Sequence, residues 1–156
     1  MPTITASQTI QAPPSKVFAT IVDLEGFPKW NPSVKQAKAL TPGPAQEGSR
    51  FEFTVKGFGM MPQELQRFET DRQVCIAPQG KAFGGGHLFV LTPEGKGATR
   101  VDHELVMEPR GAMRLVGWTM KPMMRKNLRT TMDALKAHVE SQLPQAPAKA
   151  SPKKKG

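Results

Sequence analysis

The period of the apolar residues changes near the end of this 156-residue chain, and that change limits the folds open to it. Up to Glu108 apolar side chains come in short runs, several of them alternating, punctuated by Gly and Pro clusters. From Gly111 onward the residues are strong helix formers, and Leu128, Met132, Leu135, Val139 and Leu143 fall at steps of four, three, four and four. They trace one stripe, with Lys126, Arg129, Thr130, Asp133 and Lys136 away from it, so the helix has a single dry face to bury. Seven short strands alone would suggest a sandwich or barrel. The closing helix decides against these and points to an α+β fold in which the sheet receives that face. Lys121-Pro122 predicts a kink or a late helix start.

Ile4, Ala6 and Ile10 have the even spacing of a first strand, which Pro13-Pro14-Ser15 stops while starting a helix. Val17, Phe18, Ile21 and Leu24 give that helix its apolar face; a second short helical turn, broken by Gly26 and Pro28, delivers Phe27 and Trp30 to the core. Further strands are read at Val34 to Leu40, Arg50 to Lys56, Gln63 to Glu69, Val74 to Ala77, Phe83 to Leu91 and Thr99 to Glu108. Turns fall at Thr41 to Gly48, Gly57 to Pro62, Thr70 to Arg72, Pro78 to Gly80 and Thr92 to Gly97. In the clearest strand Phe51, Phe53 and Val55 alternate with Glu52, Thr54 and Lys56, one face dry and one wet.

The order strand, APPSKVFATIVDL, FPKWNP, strand resembles the opening of the START-like superfamily, also called SRPBCC or polyketide cyclase/dehydrase proteins. The His87-x-Phe89-x-Leu91-x-Pro93 run and the Gly97-x-Thr99-Arg100-Val101-x-His103-x-Glu run resemble that family's last hairpin. The resemblance covers Thr3 to Leu143. It implies the helix-grip architecture: a seven-stranded curved antiparallel sheet around a long C-terminal helix, two short helices between strands 1 and 2, and a cavity for an apolar ligand. It implies no single reaction, because the superfamily includes carriers, chaperones, cyclases and toxins.

One domain, residues 1–143, accounts for all the apolar periodicity, and residues 144–156 read as a disordered Pro/Lys tail. The net charge is +9, and Lys149, Lys153, Lys154 and Lys155 supply part of it without a neighbouring acid. That cluster is a candidate for weak contact with anionic membrane or nucleic acid; a solubilising tail is the simpler reading. No obligate protein partner is expected. The start of the sequence lacks a basic region followed by an apolar run, so a cytoplasmic location is expected. Cys75 is the single cysteine, which leaves no intrachain disulfide and no thiolate cage, and no cofactor or metal is expected. Gly84-Gly85-Gly86 enters a strand without a following Lys-Ser/Thr pair, so it reads as a bend in the sheet, not a phosphate loop.

Candidate chemistry concentrates on the last hairpin. Symmetry about Gly95 would pair Leu91 with Thr99, Phe89 with Val101 and His87 with His103, two imidazoles facing each other toward the helix. Such a pair can satisfy itself by one hydrogen bond, orient a ligand's polar group, or serve as general acid/base. No acid shares their parity, and a catalytic His ordinarily has one to orient it. The expected ligand-binding set is Phe51, Phe53, Phe58, Met60, Met61 and Leu65 from the middle strands. His87, Phe89, Leu91, Val101, His103 and Leu105 join them from the hairpin, with Met113, Val116, Met120, Met123 and Met124 around the start of the helix. Methionine suits a surface that closes on varied apolar shapes, and the chain has no tyrosine to act as a phenolic acid. The leading expectation is a noncatalytic carrier or binding protein for a small apolar or aromatic molecule (lipid, quinone or polyketide-like). A cyclase or dehydratase using His87 or His103 is the alternative, and an interaction protein acting through its basic tail is the third. A pocket of ~300 Å³ is expected on general grounds.

Overall fold

The computed structural model describes residues 3–81 and 83–142. Leu143 and the tail with its four lysines lie outside the described residues. Seven strands form one antiparallel sheet: β1 (Thr3–Ile10), β2 (Val34–Ala39), β3 (Arg50–Val55), β4 (Gly59–Glu69), β5 (Gln73–Pro78), β6 (Phe83–Glu94) and β7 (Ala98–Pro109). They run β1-β7-β6-β5-β4-β3-β2, a meander from β2 to β7 that β1 completes beside β7. Helix α1 (Pro14–Val22) and a 3-10 helix (Leu24–Lys29) join β1 to β2, the two opposite edges. After β7 come two 3-10 turns (Gly111–Leu115 and Gly117–Met120) and the long helix α2 (Lys121–Ser141). The α+β helix-grip expectation holds.

Pro122 resolves the choice between kink and late start. It stands in the first turn of α2, where its missing N–H would have had no intrahelical partner anyway. Leu128, Met132, Leu135 and Val139 are all buried, as their spacing requires. The outer flank of α2 is pinned to β1 and the residue that follows it by polar contacts: Gln8 Nε2 donates to Asp133 Oδ1 at 2.9 Å, Lys136 Nζ to the Thr9 carbonyl at 2.8 Å, and the Gln11 N–H to Glu140 Oε2 at 2.7 Å.

Two sequence expectations need correction. β4 begins at Gly59 rather than Gln63, because Gly57 and Gly59, at φ +86° and +77°, turn the chain within three residues and leave Met60, Met61 and Pro62 paired with β3. The β6–β7 register is also shifted. Pairs sum to 192, not 190, since the loop is Gly95-Lys96-Gly97 centred on Lys96, with Glu94 opposite Ala98. His87 therefore stands opposite Leu105, and His103 opposite Phe89.

The glycine run behaves as a bend. Gly85 has φ +90°, and a Cβ there would run into the Val106 carbonyl of the neighbouring strand. Only glycine allows β6 and β7 to approach so closely at that point.

The apolar interior is split. The larger cluster joins α1, the 3-10 helix and the later half of α2 to the sheet through residues such as Ile10, Phe18, Trp30, Phe89 and Leu135. The smaller one, Ile4, Leu105, Met107 and Leu128, joins the earlier half of α2 to β1 and β7. A hollow lies between them.

Candidate functional site: a cavity with a histidine pair

The hollow has a volume of about 180 Å³ and draws its walls from both clusters, Phe27, Phe53 and Phe89 from one, Leu105, Met107 and Leu128 from the other. It is smaller than the sequence-based figure because these aromatic rings reach inward; Phe27 and Phe53 meet at 5.3 Å between ring centroids. At ~24 cal/mol per Å³ an empty space of this size costs the fold about 4 kcal/mol. That is a large part of the roughly 5 to 15 kcal/mol by which domains are ordinarily stable.

The parity of β6 and β7 sends His87, Phe89, His103 and Leu105 to this face. Despite the shifted register, His87 and His103 are diagonal neighbours and meet: His87 Nδ1 and His103 Nε2 are 2.9 Å apart, ring centroids 5.1 Å. Phe89, directly across from His103, stacks on it at 4.1 Å with an interplanar angle of 18°. His103 is 1% exposed and its Nδ1 has no partner among the described residues, whereas His87 is half-buried and borders the cavity. Burial disfavours the charged imidazolium in both. It lowers the His87 pKa from 6.5 to about 4, and that of His103 well below the ordinary value, with repulsion from a charged His87 acting in the same direction.

Of the other expected site residues, Phe53, Phe58, Met61 and Met124 also line the cavity. Phe51, Leu65, Leu91 and Val101 are buried in the core away from it. Met113 and Met120 are half-buried, and Met60, Val116 and Met123 are exposed; none of these five reaches the cavity. Among the described side chains, none from the two 3-10 turns that precede α2 lines the cavity.

Polar lining residues were missed in the sequence. Gln63 is 6% exposed, borders the cavity, and its side-chain amide bonds no described residue. The signal was present in its parity with Met61 and Leu65, a polar residue on the dry face of its strand. Thr131 and Asn127, one helical turn apart, line the α2 side, and Asn31 lines another part of the wall with its Oδ1 accepting from the Ser33 N–H at 2.9 Å. Among the described residues Lys56 is the sole charged one lining the cavity, and no acid borders it. Among the described residues no cluster of three or more His, Cys, Asp or Glu is placed to hold a metal. Cys75, half-buried on β5, does not line the cavity, and burial raises its thiol pKa.

A helix laid across a curved seven-stranded sheet, with an apolar hollow between, defines a START-like, helix-grip protein. The chain belongs to the polyketide cyclase/dehydrase and lipid transport family, whose model matches residues 1–140. Solved structures share the fold at low identity. TTHA0849 of Thermus thermophilus is 20% identical with a TM-score of 0.76, over 92% of this chain and 100% of that one. A START superfamily protein of Mycobacterium smegmatis is 19% identical with a TM-score of 0.66, over 90% and 99%. The Zhui aromatase/cyclase of a Streptomyces species is 12% identical with a TM-score of 0.75, over 92% and 96%. No curated protein matches the chain. No helix among the described residues is long and apolar enough to cross a membrane.

Proposed function

We propose that the protein binds a small apolar or aromatic molecule in this cavity and acts as a noncatalytic carrier or binding protein. The observation that carries the reading is the apolar hollow of about 180 Å³, lined by the histidine pair and Gln63 with no acid among the described residues of its wall. Such a site holds and orients a molecule; it lacks a group to drive proton transfer. A general base works best with a pKa near the operating pH. His87, at about 4, is a poor proton acceptor at neutral pH, and His103 is sealed from the cavity's contents at its free nitrogen.

The cyclase reading has one observation in its favour, a histidine bordering the cavity of a chain whose family includes polyketide cyclases. It would require the substrate to raise the pKa of His87 on binding. The volume favours a compact ligand over a long acyl chain. An engineered cavity of ~150 Å³ accepts benzene, so one or two fused rings match the space here.

Gentle purification followed by solvent extraction and mass spectrometry tests the reading. A stoichiometric apolar compound of that size is the expected result. Protein that copurifies with nothing and shows no melting shift with any small aromatic probe would contradict it.

A further inference from the structure

The hydrogen bond between the two imidazoles has a direction, and the surroundings of His103 fix it. A neutral imidazole carries one N–H and one bare nitrogen. His103 Nδ1 has no partner among the described residues and no surface that a water could touch. A proton on Nδ1 would leave a buried N–H unmet, a rarer and costlier defect than an unmet lone pair. A proton on Nε2 instead lies within the 2.9 Å contact with His87. His103 thus donates from Nε2, His87 accepts at Nδ1, and a neutral His87 must then carry its own proton on Nε2. That atom bonds no described residue and is not among the sealed polar atoms, and the ring borders the cavity.

We propose that this relay makes the cavity selective for an apolar one- or two-ring molecule bearing a bare acceptor oxygen, a ketone or quinone, which the His87 Nε2–H binds while His103 fixes the His87 tautomer as a positioning residue. The inference rests on the cavity being a ligand site. The neutral polar side chains on the wall, Gln63, Asn31, Asn127, Ser33 and Thr131, each offer both a donor and an acceptor, so they impose no opposite preference. Lys56 is a donor as well, which leaves the cavity richer in donors than in fixed acceptors.

Two readouts on the full chain test it separately. Heteronuclear NMR of the isotope-labelled protein near neutral pH should find His103 bare at Nδ1 and protonated at Nε2, and the same at His87. Protonation of His103 at Nδ1 would overturn the inference. Calorimetric titration with tetralin and α-tetralone, which differ by the ketone oxygen, should show the ketone binding about three- to tenfold tighter, the worth of one neutral hydrogen bond. His87→Phe should abolish the difference, and His103→Phe, which keeps the ring stacked on Phe89, should shrink it by freeing the His87 tautomer. Equal affinity of the wild type for both probes overturns the inference and leaves the cavity reading standing. Failure of both probes to bind overturns the cavity reading and this inference with it. If His103→Phe does not fold, the wild-type tautomer and affinity ratio decide the matter.

Discussion

Mild acid should destabilise this protein well before its carboxylates titrate. The folded-state pKa of His87, about 4, lies below its ordinary value of 6.5, so the unfolded chain takes up a proton in a range where the folded chain does not. Stability from this group is complete above about pH 6.5 and is lost as pH falls toward 4. A full difference of one proton is worth about 1.4 kcal/mol per pH unit. Between about pH 7 and pH 5 His87 alone contributes a loss of about 2 kcal/mol, and His103, shifted the same way, adds to it. The hydrogen bond explains why the pair resists protonation. A charged His87 would have to donate from Nδ1, driving the His103 proton onto its sealed Nδ1. Urea denaturation at fixed ionic strength, at both pH values, measures the loss as a drop in midpoint. The double variant His87→Phe, His103→Leu should show a much flatter profile over the same range. A wild type equally stable at both pH values, or a variant as steep as the wild type, would refute the reasoning.

Filling the hollow should separate stability from binding. Leu105→Phe is expected to abolish α-tetralone binding while leaving the urea midpoint unchanged or higher, by up to ~1 kcal/mol, as cavity cost is recovered. For the wild type, a probe at a hundredfold excess over its dissociation constant should add about 2.7 kcal/mol, seen as a rise in melting temperature of about 5 to 10 °C. Leu135→Ala removes a fully buried side chain from the α2 stripe and should cost about 2 to 5 kcal/mol in urea denaturation. Gly85→Ala should destabilise by about 1 to 3 kcal/mol, because the new Cβ meets the Val106 carbonyl at φ +90°; a neutral result would mean the strands can part there.

The helix-grip architecture was legible because its signals are local and redundant. The α2 stripe, the Pro13-Pro14-Ser15 stop and the alternation of Phe51, Phe53 and Val55 each report one element's dry face, and the faces agree. Parity also sent both histidines inward. Their partnership was harder to read: register depends on the conformation of a three-residue turn with two glycines at positive φ, which symmetry about Gly95 misplaced by one position. The meeting survived because a diagonal pair of rings can still span neighbouring strands. The methionines around the start of α2 were less informative. Whether a flexible apolar side chain lines a hollow or lies on the surface depends on where the 3-10 turns leave it, and composition does not encode that. Gln63 went unnoticed because the reading of β4 began at that residue and so lost its alternation with Met61 and Leu65.

The central claim is that the space between α2 and the sheet receives a small ring compound whose oxygen meets His87. A crystal structure of the protein grown with α-tetralone tests it most directly. The account predicts density for the two rings between Phe53, Phe89 and Leu128, with the ketone oxygen within hydrogen-bonding distance of His87 Nε2. A cavity closed by repacked side chains, or a ligand bound there with its oxygen turned away from His87, would contradict it.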